Sequence, residues 1–250
     1  MHYRLPAPIN AREPISAADI TQPIDWGLAA HGVPEAWTKT RGNGVRVAVL
    51  DTGLPDHPDL DGVVLDAKDF TGQGVKDRQG HSTHCCGTIA ARNETRIVGV
   101  APDARILIGK VLGDDGGDSR GIAAGVRWAA SQKTDIISMS LGGGYDAEVA
   151  RAILEAVQQG CLVFVAAGNS GPQDNTIEYP AKLSYVIPVS AYNKQGKLAD
   201  FSSRGPEAFV AFPGEDITST YLDRRYRTMS GSSMATPFAA GAPALMLSYH

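Results

Sequence analysis

Five short apolar runs constrain this chain more than any other feature: VRVAVL (45–50), RILIGK (105–110), DIISMS (135–140), CLVFVAA (161–167) and YVIPVSA (185–191). Each is of strand length and nearly continuous, the pattern of strands buried on both faces. Between them, SRGIAAGVRWAASQ (119–132) and DAEVARAILEAVQQG (146–160) place apolar residues at i, i+3 and i+4, and the second ends at Gly160 as a capped helix does. Buried strands alternating with amphipathic helices predict an α/β fold, three layers built on a mostly parallel central sheet. A chain of 250 residues suits one such domain. Residues 1 to 25 hold Pro6, Pro8, Pro14 and Pro23 and no sustained period, which predicts an extended, mostly irregular arm.

Composition excludes several classes. The net charge is −4 with no long basic run, whereas proteins that neutralise phosphates concentrate Lys and Arg on one face. Nucleic acid is not an expected partner. Cys85, Cys86 and Cys161 form neither a disulfide framework nor a metal-ligand spacing, so reduced thiols are expected. The start, MHYRLPAPINAREPI, lacks the apolar segment and cleavage site of a leader, and no run approaches the ~18 apolar residues of a membrane span. The expected compartment is the cytoplasm, or the exterior if an upstream leader precedes this sequence.

In open α/β sheets ligands gather beyond the carboxyl ends of the strands. There the runs give way to DTG (51–53), SLGGG (140–144) and GNSG (168–171). Asp51 follows an apolar run, so its carboxylate needs hydrogen-bonding partners, and a turn aspartate bonding its own backbone would meet that need. GHSTHCCGTIAA (80–91) puts His81 and His84 at the start of a small-residue helix. No acidic third ligand stands at the zinc-helix spacing, so a cap plus a core histidine is the plain alternative. MSGSSMATPFAAG (229–241) sets Ser230, Ser232 and Ser233 ahead of a helix whose Pro237 is expected in its first turn. First-turn amides and the positive end of the dipole favour a developing oxyanion, although a serine there also serves as an N-cap. A serine hydroxyl becomes nucleophilic when a base takes its proton and a third group orients that base. The chain supplies one of each, in the order Asp, His, Ser.

Together VAVLDTG, GHSTHCCGTIAA, ISMSLGGG, VAAGNSG and GSSMATPFAAGA resemble the signature blocks of the subtilisin-like serine proteases, in that family's order, over about residues 20 to 250. The same order of triad residues is the one known for subtilisin. In appearance the chain is most similar to the intracellular subtilisins. The resemblance implies an N-terminal extension at 1–20 and a peptidase domain at 21–250. It implies Ser233 as nucleophile, His81 as general base and acid, Asp51 as the group orienting it, and Asn169 as oxyanion donor beside the Ser233 N–H. His84 then corresponds to a structural histidine.

The same resemblance implies an extended polypeptide substrate lying between DDGGDS (114–119), with Gly116, and Ser140, Leu141 and Gly142. Ala166 and Gly168 fall among the substrate-contacting positions. Glu178, before YPA, stands where the family often has a small residue at the floor of the S1 pocket, so a basic P1 residue is an expectation alongside broad specificity. Structural Ca²⁺ is expected, with Gln22, Asp59 and Asn93 as side-chain ligands and ARNETRIV (91–98) as the ligand loop; Glu207 suits a weaker cation site. The arm segment YRLPAPI resembles the inhibitory extension of the intracellular subtilisins, which makes a zymogen the expectation, and a homodimer is a further one. Few residues follow Ser233, so short C-terminal elements are expected, with Pro243 costing stability in a helix interior.

Rival classes have less behind them. GGGYDA (142–147) fits G-x-G-x-x-A, yet the next strand ends in Ala166, Ala167 and Gly168 without the acid a ribose needs. An acyl transferase or peptide ligase, or an inactive peptide-binding protein, would use the same scaffold.

Overall fold

The computed structural model describes residues 1–6, 9–21, 24–93, 96–208 and 210–250, and of Asn93 the backbone alone. Along these residues run β1 (His2–Arg4), α1 (Trp26–Ala30), α2 (Val33–Ala36), β2 (Arg46–Asp51), β3 (Val64–Asp69), α3 (His81–Ala90), β4 (Arg92–Asn93) and β5 (Ile97–Val98). They continue with β6 (Arg105–Lys110), β7 (Gly117–Asp118), α4 (Ser119–Ser131), β8 (Ile136–Met139), β9 (Gly142–Gly143), α5 (Ala147–Gln158) and β10 (Leu162–Ala166). The last are β11 (Ile187–Tyr192), β12 (Val210–Pro213), β13 (Ile217–Thr220), β14 (Tyr226–Met229) and α6 (Ser232–Tyr249). A seven-stranded parallel sheet in the order β12-β11-β10-β8-β2-β6-β3 forms the centre. All five apolar runs are strands of that sheet.

Alternation along β2 shows why helices cover both faces. Val47 and Val49 pack with Ile106, Ile89 of α3 and Phe238 of α6, while Ala48 and Leu50 pack with Leu107, Ile122 of α4 and Ile153 of α5. Successive side chains point to opposite sides, and each large one buried contributes roughly 1.5–3 kcal/mol. The sequence reading had no strand at β3, whose Asp66, Lys68 and Asp69 are what an edge strand carries to discourage pairing.

Helix α6 departs from expectation. Ser232 opens it, so Pro237 sits inside the helix and not in the first turn. Lacking an N–H, Pro237 leaves the Ser233 carbonyl without its i+4 donor. The Ser140 hydroxyl donates to that carbonyl at 3.0 Å and the Cys85 thiol approaches it at 3.7 Å. The helix also continues through Pro243 to Tyr249. No described helix is long and apolar enough to cross a membrane.

The arm departs further. Instead of staying irregular, β1 inserts between β7 and β9 and pairs antiparallel with both. Tyr3 is fully buried and its hydroxyl donates to the Gly144 carbonyl at 3.0 Å. Farther on, Ile9 bridges Ser230 and Ile15 bridges Tyr226, again antiparallel. Unsatisfied main-chain groups at two sheet edges give the arm its conformation, which outweighs its prolines.

Candidate active site

Asp51 ends β2 at the carboxyl edge of the sheet, with its side chain buried. Its two oxygens lie 2.9 and 3.0 Å from His81 Nδ1, and Oδ1 also accepts the Thr52 N–H at 2.7 Å. One carboxylate thus both accepts from the backbone of its own turn and bonds the His81 ring. Donation from Nδ1–H to Asp51 fixes the tautomer and leaves Nε2 as the lone-pair nitrogen.

Asp77, which the sequence reading overlooked, positions His81. Oδ1 accepts from Thr52 Oγ1, the Gln79 N–H and the Gly80 N–H, and Oδ2 accepts from the Thr83 N–H and hydroxyl. One buried carboxylate thereby ties the DTG turn to the first turn of α3 and serves as its cap, since N-cap Gly80 has no side chain. Gly80 holds φ at +82°, and a Cβ there would stand 2.4 Å from the Tyr221 ring. An aspartate a few residues ahead of a helix start was the available signal.

Ser233 reaches the same place from α6, in the first turn, where its N–H has no partner within the helix. His81, Ser233 and Asn169 line one cavity of about 250 Å³, together with Leu5 and Pro6 of the arm. His81 Nε2 and Ser233 Oγ are both buried and neither has a hydrogen-bond partner among the described residues. Asp51 and His81 are thus joined by a hydrogen bond, while the facing atoms of His81 and Ser233 are not joined to any described group. Asn169 Oδ1 accepts the Ser232 N–H and hydroxyl, each at 2.9 Å, which commits the carbonyl end of the amide and leaves Nδ2 as its donating end.

Electrostatics separate the two histidines. Burial is the largest single influence on His81 and pushes it down, but the Asp51 carboxylate, acting with Cys85 and the hydrogen bonds from both, outweighs it, and the imidazole lies well above its ordinary value. The neighbouring Cys85 thiol, 3.8 Å from Nδ1, is itself pushed up to about 11 by burial, so it is neutral near pH 7. His84 turns away, its Nε2 lying 3.1 Å from both the Ile217 and Arg227 carbonyls, and burial takes it down to about 3. The pair therefore cannot grip one ion, and His84 braces the β13–β14 hairpin.

Around the cavity, Gly116 (φ +95°) meets the arm so closely that a Cβ would lie 2.4 Å from the Tyr3 carbonyl oxygen. Gly142 pairs with Arg4 in β1. Leu141 is buried in the core, and Ala166 is likewise buried at the end of β10. Glu178, half-buried, lines a second cavity of about 230 Å³ with Gly168, Asn169, Arg4, Leu5 and Pro6.

Of the expected calcium ligands, Gln22 and the side chain of Asn93 lie outside the described residues. Asp59 is a buried carboxylate whose Oδ2 accepts the Tyr226 hydroxyl at 2.7 Å. The turn bearing it, Pro58–Leu60, packs against β4, which opens the predicted ligand loop. A hard oxygen beside that loop fits Ca²⁺ chemistry. Glu207 keeps one buried carboxylate oxygen without a partner among the described residues. The GGGYDA segment offers no phosphate cradle: Gly142 and Gly143 pair with the arm, and Asp146 caps α5 by accepting the Glu148 and Val149 amides.

Comparison with known proteins agrees with this geometry. The pattern of the Subtilase family, Peptidase S8, matches residues 42–250. The chain is 46% identical over 236 residues to the intracellular serine protease of Paenibacillus polymyxa, covering 89% of this chain and 72% of that protein. It is 42% identical over 238 residues to the major intracellular serine protease of Bacillus subtilis (strain 168), covering 89% and 75%. Among solved structures, the S41 psychrophilic protease superposes with a TM-score of 0.81 at 36% identity, over 91% of this chain and 85% of the other. The chain belongs to the subtilase family, peptidase S8, and is a subtilisin-type serine protease.

Proposed function

We propose that this protein is an endopeptidase that cleaves extended polypeptides through an Asp51–His81–Ser233 relay. The observation that carries the reading is the Asp51–His81 hydrogen bond, 2.9 Å long, beside a cavity into which Ser233 opens. Ser233 Oγ attacks the scissile carbonyl carbon while His81 Nε2 takes its proton, and the resulting imidazolium is stabilised by Asp51. The oxyanion is met by Asn169 Nδ2 and the Ser233 N–H. As the tetrahedral species collapses, His81 gives the proton to the leaving amine. Water, deprotonated by the same histidine, then releases the acyl group from Ser233. The test is hydrolysis of an unfolded protein and of fluorogenic peptides: the wild-type chain cleaves them and Ser233→Ala does not. Equal activity in that variant contradicts the reading.

Three finer readings go with it. The arm is inhibitory: β1 occupies the edges a substrate would use, and Pro6 lies in the cavity with Ser233. Proline near a scissile position misplaces the carbonyl and removes an amide donor. Tyr3→Ala, which deletes the buried anchor, raises kcat/KM toward peptides, and an unchanged rate counts against inhibition. Glu178 favours Lys or Arg at P1, supported by its place in a cavity that also receives Arg4; equal cleavage after Phe and Arg removes the idea. Asp59, with Gln22, Asn93 and carbonyls of residues 91–98, would hold Ca²⁺, whose charge would tie the loop to the domain. Chelation then lowers the unfolding temperature, and no shift argues against the site. The two relatives named intracellular support a cytoplasmic setting.

A further inference from the structure

We infer that the edge of β14 is an extended binding edge for the part of a substrate that follows the scissile bond, and that Arg225 and Arg227 favour acidic residues there. The inference rests on the peptidase reading and adds a substrate class to it.

The course of the arm carries the argument. It runs in one direction from Arg4 opposite Gly142, past Pro6 in the cavity with Ser233, to Ile9 opposite Ser230 and Ile15 opposite Tyr226. Chain before the cavity lies on β7 and β9, and chain after it lies on β14. The downstream contacts are main-chain bonds: Ile9 and Ser230 exchange N–H to carbonyl bonds of 3.2 Å, Arg12 N–H donates to Thr228 at 3.0 Å, and Ile15 and Tyr226 exchange bonds of 2.8 and 2.9 Å. Such bonds do not depend on side chains, so any extended polypeptide can make them once the arm leaves. The edge they use continues directly from Ser230 toward Ser233, which makes it part of the same cleft.

Two arginines add a preference. Arg227 Nε donates to the Arg12 carbonyl at 2.7 Å, with the guanidinium held 4.9 Å above the Tyr221 ring and Nη1 donating to its hydroxyl at 2.7 Å. Arg225 donates to the Pro14 carbonyl. Neither has a carboxylate within ion-pair distance among the described residues. Both guanidiniums therefore face the path of the bound chain, Arg225 already acts on the Asp19 carboxylate farther along the arm, and a carboxylate on a bound chain would gain a charge-assisted bond. A fixed aromatic platform under Arg227 lowers the entropy lost in making it.

The experiment uses the full chain carrying Tyr3→Ala and Ile15→Pro, which remove the buried anchor of β1 and the N–H that bonds Tyr226. Fluorogenic peptides share one sequence through the cleavage site and extend beyond it by about three or about ten residues, the longer reaching Tyr226 at ~3.4 Å per residue. The long extension is made neutral or rich in Asp and Glu. The long acidic peptide is expected to exceed the short one about tenfold in kcat/KM, with the neutral one between. Adding R225Q and R227Q lowers the acidic peptide to the neutral level, and raised salt does the same while sparing the effect of length. Ratios taken within one preparation are independent of the folded fraction. Equal kcat/KM for short and long peptides overturns the inference, as does an acidic advantage that survives both arginine substitutions. Failure to cleave any peptide instead removes the peptidase reading, and this inference with it.

Discussion

One turn of α3 separates two buried histidines that the protein uses in opposite ways. At the end facing β2, His81 meets a carboxylate, which holds the ring well above its ordinary pKa despite burial. At the end facing the β13–β14 hairpin, His84 meets only carbonyls, and burial takes it down to about 3. A neutral imidazole and a chargeable one thus come from the same residue type on the same helix. What separates them is the company each keeps: Asp51 and the other groups on His81 together outweigh its desolvation, whereas the two carbonyls on His84 do not.

Breaking either histidine tests that contrast. His81→Ala should cost kcat, per folded molecule, roughly the 10⁶-fold that loss of the equivalent group costs in subtilisin. Asn169→Ala should follow at roughly 10²–10³-fold in kcat with KM nearly unchanged, the loss of one oxyanion donor known from subtilisin. His84→Ala should do the reverse. It leaves two hairpin carbonyls and a cavity, so stability should fall by about 3 kcal/mol in denaturant unfolding, while turnover per active serine stays near wild type. A catalytic collapse at unchanged stability would show that His84 belongs to the relay after all.

Acid sharpens the contrast further. His81 must be neutral to accept a proton, and its pKa is raised, so kcat/KM should climb with pH through a limb above the ordinary histidine value of 6.5. The charged His81 stabilises the fold below 6.5, and that share disappears as pH rises through the raised value. For His84 the unfolded chain binds the proton first. Its share of stability is present above 6.5 and is lost as pH falls from there toward about 3. An activity limb at or below 6.5 would mean that Asp51 does not charge its neighbour.

Much of this was legible in the sequence for a physical reason. The parallel strands are buried on both faces, so β2, β6, β8, β10 and β11 had to be apolar throughout, and the small polar residues after them marked the sheet edge where Asp51 and Asn169 stand. Other elements left no such mark: β3 is only partly buried and its residues answer to solvent as well, and β13, though mostly buried, is short and polar, with Thr218, Ser219 and Thr220 after Ile217. Pro237 misled because proline punctuates helices by default, whereas here the bond it forfeits is replaced by Ser140. The arm was unreadable as strand because its partners, Gly117, Gly143, Ser230 and Tyr226, lie far away in sequence. Asp77 was missed because a carboxylate that accepts five hydrogen bonds looks, in a row of letters, like any loop aspartate.

Labelling with a serine-directed fluorophosphonate, followed by mapping of the modified residue, tests the relay most directly. The account predicts adduct at Ser233 in the wild-type chain, and virtually none there in His81→Ala. Adduct on Ser230 or Ser232, or undiminished labelling of Ser233 without His81, would contradict it.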